Sequence, residues 1–347
     1  MRSTIRTAGI LIAVLLVAAA CQAPGTGTPA PASPTSAATS AATAAASPTP
    51  NFAGKPVLIV TGGTGGVYIV YGGGLANVLT NKLGVAATAQ ATNASVTNMQ
   101  LVRDKKADLA YTLADTAYDA LKGQKQFANA AAPGLRTLAV LYNNVTQIVT
   151  KDGTGITSVA GLKGKRVSVG SAGSGTEVIA NRILEAAGLS QADLQVQKLG
   201  IADSAAQLKD GRVDAFFWSG GLPTAAILEL ANTAGLKIKI LDHSDLVPKM
   251  VEKYGAFYVA HTLPKDVYKL DADVKTSAVP NLLVADVGMD AALVRAILAT
   301  MFDNKAELEK AHPEAKNLTL ENASKGSPLE YHPGAITYYK EKGVWKN

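Results

Sequence analysis

Two glycine-rich turns, each between a predicted strand and a predicted helix, constrain the fold of this chain most strongly. Thr61–Gly66 reads TGGTGG and follows a strand predicted over Pro56–Val60, and Gly170–Thr176 reads GSAGSGT and follows a strand predicted from Arg166. After each turn, apolar residues recur at helical spacing. Further strands and helices alternate along the rest of the body, which predicts an α/β fold.

These turns place backbone N–H groups at the starts of helices, where a partial positive charge suits an anion. Ser174 and Glu177 also have capping-box spacing, so Ser174 and Thr176 either contact a ligand or satisfy the helix backbone. Neither turn has the spacing of a nucleotide-binding motif, and Gly-x-Ser-x-Gly is absent. Two anion-binding turns without a nucleophile favour binding over catalysis. An exported enzyme with the same fold is the alternative.

Composition excludes several classes of function. The chain of 347 residues has a single cysteine, Cys21, and four histidines without metal-ligand spacing, so we expect no disulfide, metal or cofactor. Its net charge of +6 is not clustered with aromatic residues, which argues against nucleic-acid binding.

The N-terminus predicts export. Arg2 and Arg6 precede an apolar stretch, and Val17–Cys21 (VAAAC) resembles a bacterial lipobox, so residues 1–20 are the expected signal peptide and Cys21 the lipidated residue. A plain signal peptide is the alternative. Residues 21–52 consist mostly of Ala, Pro, Ser, Thr and Gly, which predicts a disordered tether. The body is therefore expected outside the cell, lipid-anchored to the outer face of the membrane, or in the periplasm.

A family resemblance then emerges from motifs in order along the chain. The stretch TGGTGGVY at Thr61–Tyr68 and YGGGLAN at Tyr71–Asn77 resemble the opening of TAXI-type receptors, the solute-binding proteins of one branch of the TRAP transporters. Further matching stretches follow: SVTN from Ser95, GLKGKRVSVG from Gly161, GSGTE from Gly173, GRVDAFF from Gly211, GGLP from Gly220 and HPGA from His332.

The resemblance implies a two-lobed type II periplasmic-binding-protein fold with a hinge and a central ligand cleft. Residues 55–143 and 257–347 would form lobe 1, and 144–256 lobe 2. The implied function is to capture glutamate, glutamine, 2-oxoglutarate or a related dicarboxylate, as a monomer, and deliver it to a TRAP permease. Alternatives are the binding protein of an ABC importer and the ligand module of a sensor.

The resemblance also carries over residues to the cleft. Tyr68 and Trp218 have core packing as an alternative, and Asn98 has a helix-surface or capping role. The expected ligand-binding residues are Gly63, Thr64, Gly65, Tyr68, Ser95, Asn98, Ser171, Gly173, Ser174, Gly175, Thr176, Trp218, Gly221 and Pro223.

One position departs from the family. Its members often have Pro-Glu after a tyrosine near the hinge, whereas this chain has Tyr142-Asn143-Asn144, so a carboxylate contact to an amino group is not expected there. Asp115 and Gln147 are weaker candidates for ligand contact, with surface exposure as the alternative. Arg182, within the helix after the second turn, is expected to face solvent.

Overall fold

Two long antiparallel strands, β4 and β10, connect two sets of parallel strands into one mixed sheet. In the computed structural model the strand order is β2-β1-β3-β10-β4-β7-β5-β6, with β8 paired to β4 and β9 to β10. The strands are β1 (Pro56–Val60), β2 (Ala86–Gln90), β3 (Leu109–Leu113), β4 (Leu135–Lys151), β5 (Arg166–Ser168), β6 (Gln195–Gln197), β7 (Ala215–Gly220), β8 (Ile238–Ile240), β9 (Val259–Leu263) and β10 (Val274–Asp286).

Helices fill the connections between these strands. The α-helices are α1 (Val67–Val78), α2 (Ser95–Arg103), α3 (Ala114–Lys122), α4 (Gly175–Ala186), α5 (Ile201–Lys209), α6 (Ala225–Ala231), α7 (Val247–Tyr254), α8 (Ala291–Asp303), α9 (Lys305–Ala311), α10 (Leu320–Ala323) and α11 (Pro333–Glu341). The two predicted strand–turn–helix units are confirmed as β1–α1 and β5–α4. The expected α/β, two-lobed fold class is confirmed by this arrangement.

The structure describes residues 51–345, all within the compact unit Thr49–Asn347. The expected signal peptide, Cys21 and the tether up to residue 50 lie outside the described residues. Phe52, which we assigned to the tether, is buried in the main hydrophobic core. Across residues 51–345, no helix is both long and apolar enough to span a membrane.

We call β1–β3 with α1–α3 the first half, and β5–β8 with α4–α6 the second half. Strand β4 pairs with β10 over residues 135–145 and with β7 over 145–150, so it runs from one half into the other. We predicted two strands here, over Thr137–Tyr142 and Gln147–Thr150. The structure has one, because Asn143 and Asn144 continue the ladder opposite Pro280 and Val279.

The chain returns towards the first half along β10. The first residues of β10 pair with β9 over Val274–Ala278, and the later ones pair with β3 and β4. The lobe boundary at residue 257 stays a prediction, and this pairing favours a return near Ala278. A smaller core cluster includes Val145, Phe216 and Ala278, which ties β9 and the start of β10 to the second half.

His243 is buried just after β8, where its backbone N–H donates to the Lys275 carbonyl of β10. Its Nδ1 lies 3.0 Å from the Leu241 carbonyl oxygen, and its Nε2 accepts from the backbone N–H of Ser277 at 3.1 Å. A ring that donates at Nδ1 and accepts at Nε2 is neutral. Burial lowers the pKa of His243, more than the carbonyl of Leu241 and nearby aspartates raise it.

We predict that acidification destabilises the fold through His243. The folded-state pKa lies below the unfolded value of about 6.5, so the stability is present above that value and is lost as the pH falls through the folded pKa. The melting temperature should fall by a few degrees between about pH 7.5 and about pH 5, and less in His243→Gln. The control is His261→Gln, which replaces a less buried ring whose pKa burial also lowers, so it should reduce the loss by less than His243→Gln does. An equal loss in the wild type and His243→Gln would contradict the prediction.

Candidate ligand-binding cleft

A cavity of about 40 Å³ lies between the two halves. It is bounded by the turns that follow β1, β2, β5 and β6, which is where ligands bind in parallel α/β sheets. Space of this size holds about two or three water molecules, so the two halves are closely apposed. The lining residues are Gly62, Gly63, Gly66, Val67, Tyr68, Asn93, Ala94, Ser95, Leu113, Asn144, Gly170, Ser171, Ser174, Gly175, Thr176, Leu199, Gly200, Ile201, Trp218, Ser219 and Gly220.

Four helices begin at this cavity. They are α1 at Val67 and α2 at Ser95 from the first half, and α4 at Gly175 and α5 at Ile201 from the second. The first N–H groups of a helix lack intrahelical partners, and the helix dipole places partial positive charge there. In the described part of the chain, the lining contains no charged side chain. The cavity therefore favours an anion by its backbone alone.

Ala94 has a strained backbone beside the start of α2. Its φ of 71° and ψ of −143° fall close to a region that glycine alone adopts easily. The Thr92 hydroxyl accepts the Ala94 N–H at 3.0 Å and holds this conformation. Such strain clusters at functional sites, which supports the assignment of the cavity as the ligand site.

The two halves touch around the cavity through glycines. A Cβ atom on Gly175 would lie 2.6 Å from both Leu113 Cδ1 and Ser95 Oγ, and one on Gly66 would lie 3.0 Å from the Trp218 ring. The N–H of Thr97 also donates to the Gly173 carbonyl at 3.3 Å. A larger residue at either position would collide with the opposite half. The close contact between the two halves therefore depends on Gly66 and Gly175.

Two buried polar atoms at the cavity lack a hydrogen-bond partner within residues 51–345. They are Oδ1 of Asn144, on β4, and Oγ of Ser219, on β7. The Asn144 amide nitrogen donates to the Tyr68 hydroxyl at 3.1 Å, and burial raises the pKa of Tyr68 so that the phenol stays neutral. An unpaired buried polar atom is costly, so both atoms are available for a solute.

Eight of the expected ligand-binding residues line the cavity, and so both glycine-rich turns contribute to it. These are Gly63, Tyr68, Ser95, Ser171, Ser174, Gly175, Thr176 and Trp218.

Several of these also have a structural role. The Ser174 hydroxyl accepts the N–H of Glu177 at 3.0 Å, so it caps α4, and the Thr176 hydroxyl accepts the N–H of Ser219 at 3.3 Å. The indole N–H of Trp218 donates to Thr224 at 2.8 Å. These side chains therefore contribute to ligand binding by shaping the cavity, and the hydrogen bonds come from the backbone around them.

Asn98 is placed differently from the expectation. It is fully buried, and its amide nitrogen donates to the carbonyl oxygens of Thr61 at 2.6 Å and Tyr111 at 2.8 Å. Its Oδ1 accepts from Thr92 at 2.6 Å. Asn98 thus ties α2 to β1 and β3 and does not line the cavity.

Two residues of the first turn also lie outside the cavity lining. Thr64 is exposed, and Gly65 faces Ala202 and Ala226 of the second half, where a Cβ would lie 3.5 and 3.4 Å away. The φ of Gly65 is +79°, which favours glycine. Gly65 therefore serves the contact between the halves.

The remaining three expected residues, Gly173, Gly221 and Pro223, also lie outside the lining. The Gly173 N–H donates to the Glu177 carboxylate at 2.9 Å. The segment with Gly221 and Pro223 packs on the C-terminal region: Glu314 accepts the N–H of Leu222 at 2.6 Å, and burial raises the pKa of Glu314. Gly221 and Pro223 thus belong to a segment that connects the end of β7 to the C-terminal region.

Sequence reasoning placed Trp218 of β7 in the cleft but missed residues on β4, after β6 and elsewhere on β7. Asn144, Gly200 and Ser219 reach the cavity through strands that pair only in the folded sheet. The polar pair Asn143-Asn144, directly after the apolar run at 138–142, was the local signal for this part of the site.

Arg182 was wrongly expected to face solvent. Its side chain is 5% exposed, and it bonds Asp115 at 2.9 Å, Asp119 at 2.5 Å and the Tyr258 hydroxyl at 2.6 Å. The ring of Tyr254 lies below the guanidinium, with 4.6 Å between the guanidinium carbon and the ring centre. This network joins α4 of the second half to α3 of the first.

Surface exposure, the alternative considered for Asp115 and Gln147, is wrong for both residues. Both are fully buried, Asp115 in the Arg182 network and Gln147 on β4. Burial raises the pKa of Asp119, against the opposing effect of Arg182. Burial lowers the pKa of Arg182, but Asp115, Tyr258 and Asp119 raise it by more, and the guanidinium remains charged.

The fold and the cleft define a two-lobed protein whose site suits a small anion. The sequence profile of the NMT1-like family matches residues 59–343, and the chain belongs to the NMT1-like family.

Several solved structures match this chain at low similarity. The periplasmic aliphatic sulphonate binding protein SsuA from Escherichia coli is 16% identical, with 83% of each chain covered and a TM-score of 0.43. A putative L-cystine ABC transporter protein from Listeria monocytogenes is 16% identical, covers 76% of this chain and 97% of its own, and has a TM-score of 0.47. An ancestral arginine-binding protein is 16% identical, with coverages of 76% and 98% and a TM-score of 0.47. Similarity at this level says nothing about the solute of this chain.

We predict that Arg182 stabilises the folded protein far more than an exposed arginine does. Arg182→Met leaves two buried carboxylates without their partner and should lower the free energy of unfolding by about 3 kcal/mol. The control is Arg295→Met, which breaks an ion pair to Glu341 between side chains 47% and 43% exposed and should cost less than about 1 kcal/mol. Urea unfolding measures both, and equal losses would contradict the prediction.

Proposed function

We propose that this chain is an extracytoplasmic solute-binding protein of a membrane transporter. The observation that carries the proposal is the enclosed cavity at which four helices begin and two buried polar atoms lack a partner. Such a site binds a small anion without changing it chemically. The glycine-rich turns that line it come from both halves, so opening and closing of the halves would admit and enclose the solute.

A solute-binding protein of this kind has two lobes that move relative to each other. Lobe 1 would contain 55–143 together with the C-terminal part of the chain, and lobe 2 the residues from 144 to the return crossing, with β4 and β10 as the hinge. The expected lipid anchor at Cys21 would hold the body at the outer face of the membrane. We expect the protein to act as a monomer.

The transporter partner has two candidates. The motifs in the sequence favour a TRAP permease, of the TAXI branch, and the alternative is an ABC importer. One structural neighbour is described as part of an ABC transporter, but TM-scores below 0.5 do not decide the partner.

Solute binding should depend on Gly175. A thermal-shift screen of the full chain against small carboxylates, sulfonates and amino acids should find a solute that stabilises the wild type. At about 100 times its dissociation constant it adds about 2.7 kcal/mol, a shift of several degrees. Gly175→Ala pushes Leu113 and Ser95 away, so its shift should be reduced or lost.

The matched control is Gly73→Ala, also a helical glycine, where an added Cβ meets no atom within 4 Å. It should respond to the solute as the wild type does. A solute that stabilises both variants equally binds outside the cleft and contradicts the proposal. A screen without any stabilising solute, together with no bound small molecule in mass spectra of the denatured protein, would contradict it as well.

The source of energy distinguishes the partners. In membrane vesicles that contain the permease, added chain should raise uptake of the identified solute. Loss of uptake on collapse of the cation gradient supports the TRAP permease, and a requirement for internal ATP supports the ABC importer. Uptake that is the same with and without the chain would contradict a transport role.

A further inference from the structure

We propose that the cleft takes a small 2-hydroxy acid, with its carboxylate at the helix starts and its hydroxyl on Asn144. This inference rests on the proposed function and names the class of solute. It depends on two side chains, Asn144 of β4 and Ser219 of β7, each of which has a buried polar atom without a hydrogen-bond partner among residues 51–345.

The carboxylate end is set by the backbone. Helices α1, α2, α4 and α5 are each at least nine residues long and all begin at the cavity. Their dipoles, and their first N–H groups other than those of Thr97 and Glu177, favour one compact negative charge. They also disfavour a positive charge, since no carboxylate belongs to the lining among residues 51–345.

The second group on the solute is set by Asn144. This side chain is 1% exposed, and its amide nitrogen is used by the Tyr68 hydroxyl. The Oδ1 atom has no partner among residues 51–345 and accepts only, so a solute that pairs with it must offer a donor. A hydroxyl donates without adding positive charge, whereas an ammonium group would carry charge into a site built for an anion.

Ser219 completes the set of contacts. Its Oγ is buried and unpartnered, and Ser219 pairs with Thr146 in the β4–β7 ladder, two residues along from Asn144. A hydroxyl both donates and accepts, so Ser219 serves either oxygen of a hydroxy acid. The cavity of about 40 Å³ is smaller than lactate, so the two halves must move apart to admit it, and a dicarboxylate would require a larger movement.

Three acids of one size test this inference. Lactate, alanine and propionate share a carbon skeleton and differ at the second carbon, which carries a hydroxyl, an ammonium or hydrogen. Titration calorimetry on the full chain should show lactate binding about tenfold or more tightly than propionate, which leaves Asn144 unpaired. Alanine should bind more weakly than lactate by a similar factor or more. Pyruvate, which offers only acceptors, should also bind more weakly than lactate.

Variants at two neighbouring asparagines locate the effect. Asn144→Leu should bring the affinity for lactate down to that for propionate. The matched control is Asn143→Leu, at an exposed position of the same strand, which should retain the wild-type preference. If Asn144→Leu does not fold, Asn144→Asp replaces it: the added carboxylate should weaken lactate binding and favour alanine.

The outcomes separate this inference from the proposed function. Alanine, propionate or pyruvate binding as tightly as lactate would overturn the hydroxy-acid assignment and leave a solute-binding protein. Failure of all four acids to bind would also overturn it, and the wider screen with Gly175→Ala then decides the proposed function. A lactate preference that persists in Asn144→Leu would overturn the role of Asn144.

Discussion

The pairing of β4 with β10 is the constraint on which the rest of the structure depends. Strand β4 is 17 residues long and β10 is 13, and together they carry the sheet from one half to the other. Their ladder contains two register shifts, at Asn281/Leu282 and Leu283/Val284, and such irregularities bend and twist a sheet. Because the same two strands support both halves, the turns that follow β1, β2, β5 and β6 meet around a single cavity.

Local signals in the sequence predicted much of this fold. Glycines after an apolar strand, followed by helical spacing, identified β1–α1 and β5–α4, because turn chemistry and periodicity act over a few residues. The same reasoning divided β4 in two, since the polar pair Asn143-Asn144 looks like a break. In the structure Asn144 faces the Tyr68 hydroxyl, and the strand continues through it.

Long-range contacts explain what could not be predicted. Arg182 lies 63 and 67 residues from its two carboxylate partners, and an arginine on a helix surface gives no sign that a second helix will cover it. Asn98 has the residue type and position of a ligand contact. Its amide nitrogen, however, already donates to the carbonyl oxygens of Thr61 and Tyr111. The glycine-rich turns, whose role depends on their own backbone, were the part of the site that sequence could assign.

The Arg182 network gives the contact between the halves a particular dependence on temperature. Arg182, Asp115 and Asp119 are nearly inaccessible to water while α3 and α4 are together, and separation of these helices would hydrate three charges. Hydration of charged groups has a strongly negative entropy and becomes less favourable as temperature rises. Warming therefore lowers the free-energy penalty for removing these groups from water. This part of the interface should stabilise the contact between the halves more at high temperature than at low temperature.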